Sequence, residues 1–183
     1  MQSAIARSIS GKKVTDPTPR PTSPPPALVI GLGNPLLGDD GVGWRVAEQV
    51  RQQAAQATLP IEVDCLAVGG LSLMERMVGY RQAIVIDAIT TGQQPVGSVR
   101  CFSLEDLPDL TAGHLASAHD ASLQTALQTG RALGAVLPEQ VLIVAVEAQQ
   151  VYDFSDELTS PVAAAVPRAV QAVLAALDHL TEA

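Results

Sequence analysis

Aromatic side chains make up only 3% of this 183-residue chain, two cysteines are its whole thiol content, and basic residues number 11 against 19 acidic ones. Each shortage excludes something. With so few rings, the core has to be built from Ala, Val, Leu and Ile, which suits helices packed on a buried sheet. Cys65 and Cys101 form no CxxC pair, so a zinc knuckle or a dithiol redox motif is excluded. Both lie in apolar stretches, and they read as buried, reduced thiols of a cytoplasmic protein. The net charge of −8 leaves no cationic patch for nucleic acid or an anionic membrane. No uninterrupted apolar run reaches the roughly 18–20 residues needed to span a bilayer.

What is present is a 47% hydrophobic chain of a length suited to one domain. Residues 1–26 hold six of the 13 prolines and no periodic apolar face. They read as a disordered extension ahead of a domain at 27–183. From Ala27 the pattern alternates. ALVIGL reads as a strand, and Val42, Val46, Val50 and Ala54 mark a helix from Gly41 to about Ala57. IEVDCLAV is a second strand, and a short helix around Leu71 to Val78 stops at Gly79. QAIVIDAI is apolar on both faces and therefore a central third strand. SVRCFSL, a polar loop from Glu105 to Ala118, a helix, the strand VLIVAVEA and a last helix from Ser160 to Leu180 follow. Alternating strands and helices predict a three-layer α/β/α sandwich on a mostly parallel five-stranded sheet.

The segment GLGNPLLGDDGVGWR leaves the first strand and opens a helix. It is not a dinucleotide fingerprint, because the third glycine of GxGxxG falls at Leu36. Gly31 to Pro35 match the GLGNP of peptidyl-tRNA hydrolases, but the acidic pair that follows departs from that family and would repel a tRNA backbone. Gly31 and Gly33 permit a sharp turn at the carboxyl end of a strand, where open α/β sheets place their sites. Asp39 and Asp40 then stand at a helix start. Asp suits an N-cap there, and we expect Asp39 to be closer to a cap and Asp40 to point into the cleft. Asp87 leaves the most apolar strand, so it is either exposed at the sheet edge or paired. His114 and His119 lie in the polar loop, whereas His179 sits on a helix near the terminus. Gly70-Leu71-Ser72 follows a strand, yet Met74 replaces the second glycine of a nucleophile elbow.

VIGLGNPLLGDDGVG, IDAI, SAHDASL and the closing strand with its Glu, loop and Ser-Pro helix start resemble the nickel–iron hydrogenase maturation protease family over about Ala27 to Leu180. The resemblance implies a phosphorylase/hydrolase-like fold and an endopeptidase that trims the C-terminus of a hydrogenase large-subunit precursor after nickel insertion. It makes Asp40, Asp87 and His119 the metal-binding and catalytic residues, with His114 as the other candidate imidazole. Gly31, Gly33, Asn34, Gly69 and Gly70 become substrate-binding candidates. The metal would be nickel carried by the substrate, or a weakly bound divalent ion such as zinc. A monomer is expected. The rival readings are a nickel-sensing module that does not cleave and a peptidyl-tRNA hydrolase.

Overall fold

The computed structural model describes residues 27–106 and 118–182, with side chains for 27–106 and 123–180. The expected N-terminal extension, residues 1–26, lies outside the described residues, as do His114 and most of the polar loop. Five strands, β1 (Ala27–Leu32), β2 (Ile61–Leu66), β3 (Gln82–Ile89), β4 (Val99–Ser103) and β5 (Gln140–Glu147), form one sheet in the order β2-β1-β3-β5-β4. β1, β2, β3 and β5 are parallel, and β4 runs antiparallel to β5 at the edge. Four α-helices connect them: α1 (Val42–Ala57), α2 (Gly70–Arg76), α3 (Ala118–Ala132) and α4 (Ser160–Glu182).

Strand alternation divides the core into two layers. Val29, Ile84, Ile86 and Val144 face α1 and α4, where Val46, Val50, Val166 and Val173 cover them. Leu28, Ile30, Val85 and Ile143 face α2 and α3, where Leu73, Met77, Leu123 and Leu127 cover them. The result is the three-layer sandwich predicted from the alternation.

Where sequence and structure part, burial explains it. Cys65 is only half-buried and Cys101 is exposed, not the buried pair expected. Both sit on the outermost strands, β2 and β4, which have a neighbour on one side only. Helix α4 is long and apolar enough to cross a membrane by length and composition alone. Here Val162, Val166, Ala169, Val170, Val173 and Leu177 bury one face against the sheet, and the opposite face carries Arg168 and Asp178. The helix continues through Pro167.

Contact between α1 and the sheet depends on glycine. A Cβ on Gly43 would stand 2.6 Å from the Ile86 carbonyl oxygen, with the Leu32 carbonyl oxygen closer still. A Cβ on Gly31 would meet the Gly43 carbonyl carbon at 2.7 Å and the Ala47 side chain at 2.8 Å. The start of α1 is therefore laid directly on the end of β1 and on β3 at Ile86.

Candidate active site

The turn after β1 is held from several sides. The Leu66 carbonyl at the end of β2 accepts both the Gly33 N–H, at 3.1 Å, and the Trp44 indole N–H, at 3.2 Å. Gly33 has φ +116°, and a Cβ there would lie 2.9 Å from the Asp40 carbonyl carbon and 3.3 Å from its carboxyl carbon. The position thus requires glycine on both counts. The Asn34 side chain closes the turn by accepting the Leu36 N–H at 3.0 Å. Gly31 and Gly33 are both buried, so their demonstrable role is to admit the helix and the acidic turn.

A short 3₁₀ turn, Gly38–Gly41, carries the acidic pair, and the two side chains part company. The Asp40 carboxylate accepts the Asn34 N–H at 2.5 Å and stays half-buried over Gly33. Asp39 is completely buried. It does not cap its own helix, contrary to the sequence expectation, because neither the 3₁₀ turn nor α1 has a side-chain cap. Its carboxylate instead accepts the Gln149 and Gln150 N–H groups, at 3.3 and 3.2 Å, and the Thr159 N–H and hydroxyl, at 2.8 and 3.0 Å. Thr159 immediately precedes α4, so Asp39 places its negative charge at the N-terminus of that helix.

Asp87 lies on β3, the strand next to β1, and is 1% exposed. One of its oxygens accepts the Ala88 N–H at 2.9 Å. Gly31 pairs with Ile86, so the last residue of β1 and Asp87 are at the same level of the sheet. By alternation Asp87 shares a face with Val85 and Ile89, the layer covered by α2 and α3. Asp87 is inside the strand, two residues before its end, rather than beyond it.

His119 is the second residue of α3, four before Leu123, which is buried in that same layer. Since α3 leads into β5, parallel to β3, its N-terminus faces the carboxyl edge of the sheet. The His119 side chain lies outside the described residues. Among the described residues, no group of three or more His, Cys, Asp or Glu is placed to hold a metal. Gly69 and Gly70, half-exposed after β2, form the turn into α2, with Gly70 at φ +56°.

One buried acid escaped sequence reasoning as a structural element. Glu147, 2% exposed at the end of β5, accepts the Thr91 N–H and hydroxyl at 2.7 Å and the Gly92 N–H at 2.8 Å. It fixes the β3–β4 loop at the same edge. A glutamate closing the apolar run from Val141 to Val146 was the available signal, since a buried charge has to find donors.

Comparison with known proteins gives one consistent answer. The model of the hydrogenase maturation protease family matches residues 44–176. Hydrogenase 2 maturation protease of Escherichia coli K12 is 31% identical over 152 residues, covering 82% of this chain and 89% of that protein. Hydrogenase expression/formation protein HupD of Rhizobium leguminosarum bv. viciae is 28% identical over 162 residues, 87% of this chain and 79% of that one. The structure of the hydrogenase maturating endopeptidase HybD from E. coli superposes with a TM-score of 0.67 at 28% identity, over 84% of this chain and 92% of that chain.

Proposed function

Because this chain belongs to the hydrogenase maturation protease family and is therefore an endopeptidase, we propose that it removes the C-terminal peptide of a nickel–iron hydrogenase large-subunit precursor once nickel is in place. Nickel is the substrate's cargo in this reading. Asp40, Asp87 and His119 meet it when the precursor docks, and Gly69 and Gly70 offer backbone N–H groups to the peptide or the oxyanion.

The observation that supports the proposal is that Asp40 stands over Gly33, just past β1, while Asp87 lies on the neighbouring strand β3 at the level of Leu32. The start of α3, with His119, lies toward the carboxyl edge of the sheet. Two carboxylates are hard anionic donors, suited to completing the shell of a cation that already has other ligands. This favours a metal delivered by the substrate over a resident zinc. Asp40, half-buried, is the more accessible carboxylate, and we assign it the general base that takes a proton from the attacking water. Asp87, nearly inaccessible, orients and compensates charge.

Mixing purified protein with nickel-loaded precursor should lower the precursor's mass by that of its C-terminal peptide, while nickel-free precursor stays uncut. Asp40→Asn, Asp87→Asn and His119→Ala should each slow cleavage about 100-fold or more, in the range lost with general-base groups, and leave the helical circular dichroism intact. Wild-type rates in all three would sink the assignment.

A further inference from the structure

The chain has five aromatic side chains, two Phe, two Tyr and one Trp. Two of the five are left in water: Tyr152 is 83% exposed and Phe154 is 85% exposed, both on the loop between β5 and α4. Leu36, 50% exposed, stands beside them on the β1–α1 turn. The Ser155 N–H donates to the Leu36 carbonyl at 3.0 Å, and Leu37 bridges to Ser155. A fully exposed aromatic forgoes the free energy of burying its ring. A domain so poor in rings leaves two of them unused by its own core.

These side chains stand on a fixed base. The Gly38 N–H donates to the Ser155 carbonyl at 2.8 Å, and the Asp39 N–H donates to the Gln150 carbonyl at 2.9 Å. The Asp39 carboxylate then binds both ends of the loop, at Gln149, Gln150 and Thr159. Exposed aromatics on a base that is already ordered lose little entropy on binding, and such residues dominate protein–protein interfaces. The charge the loop itself carries is one-sided. Asp153, Asp156 and Glu157 are exposed on the same loop, and Arg45 reaches it by donating to the Asp156 carbonyl at 3.0 Å. The base is continuous with the turn that carries Asp40.

We propose that Leu36, Tyr152 and Phe154 form a docking platform for the folded body of the hydrogenase precursor, accepting an apolar surface segment flanked by lysine or arginine while the C-terminal peptide enters the site. The inference rests on the function proposed above and adds how the substrate is recognised away from the scissile bond.

The test uses the full chain and nickel-loaded precursor. Tyr152→Ser with Phe154→Ser should raise KM at least tenfold, change kcat less than about twofold, and leave the unfolding midpoint where it was. Tyr152→Phe alone should retain the wild-type KM. Asp153→Lys with Glu157→Lys should raise KM, and the difference from wild type should shrink in high salt. An unchanged KM in the double serine variant overturns the platform. So does a loss of self-association in that variant with KM unchanged, which would make the face a contact between two copies. Precursor binding to the Asp40→Asn protein, measured by calorimetry, separates the two claims. Binding that depends on Tyr152 and Phe154 without cleavage by the wild type upholds the platform and defeats the proteolytic reading. No binding by either protein defeats both.

Discussion

Asp39 and Thr159, 120 residues apart in the chain, are joined by two hydrogen bonds, from the Thr159 N–H and from its hydroxyl to the Asp39 carboxylate. The bond pair ties the acidic turn after the first strand to the start of the last helix. It also separates two adjacent aspartates by role: Asp39 holds the scaffold, and Asp40 remains half-buried over Gly33.

Asp39→Ala should destabilise the protein by about 3 kcal/mol, because four donors in a buried place lose their acceptor. Asp39→Asn should cost about as much, since its NH₂ group would face other donors. Denaturant midpoints at an unchanged m-value measure this. Cleavage should fall in both variants, with KM rising more than kcat falls.

Glu147 separates charge from geometry. A glutamine there can keep the Thr91 and Gly92 N–H groups on its oxygen while its NH₂ turns to the Thr91 hydroxyl as a donor. Glu147→Gln should therefore cost about 1 kcal/mol, and Glu147→Ala about 3 kcal/mol, because only the latter strands buried donors. Near-equal losses in the two variants would show that the charge itself matters.

Gly43 sets two effects of opposite sign against each other. Alanine is the better helix former by about 1 kcal/mol. Its Cβ, however, would press on the Leu32 and Ile86 carbonyl oxygens, both backbone atoms that cannot swing away. The overlap should win, with Gly43→Ala losing about 3 kcal/mol or failing to fold, within the range of severe overpacking. A stabilised Gly43→Ala protein would mean that α1 can slide outward at little cost.

Tyr80 gives a pH test. Its hydroxyl donates to Glu62 at 2.6 Å and accepts from Arg76 at 3.0 Å, and Arg76 also binds Asp64 and Glu62. Burial raises the Tyr80 phenol above its ordinary value of 10.0, with the Glu62 hydrogen bond adding to the rise and Arg76 opposing it. A folded value above the unfolded one means that the contribution of Tyr80 to stability is complete below about pH 10 and lost as pH climbs through the folded value. Tyr152→Phe leaves Tyr80 as the sole phenol, so absorbance near 295 nm reads it alone. A midpoint at or below 10.0 would contradict the structure.

Much of this was legible in the sequence. The third strand, QAIVIDAI, is apolar at nearly every position and is the middle strand of the sheet, Gln82–Ile89, because only a strand covered on both faces can afford that composition. The helical spacing of Val42, Val46, Val50 and Ala54 marks the buried face of α1. GLGNP followed by DD located the turn at the sheet's carboxyl edge. What stayed hidden depends on contacts distant in sequence. Nothing near Asp39 announces partners at Gln149, Gln150 and Thr159. The apolar neighbours of Cys101 suggested burial, but its place on an edge strand exposed it. Gly31 reads as a turn residue, whereas its position against Gly43 is a matter of helix-to-sheet distance that one strand cannot encode.

The Asp39 linkage joins what the sheet alone does not. All five described strands precede Thr159, so none of the strand pairing includes the start of α4. A chain cut back to before Thr159 would keep the residues of every strand but lose two of the four donors to the Asp39 carboxylate, leaving it to the Gln149 and Gln150 N–H groups. Such a protein should hold its acidic turn less firmly.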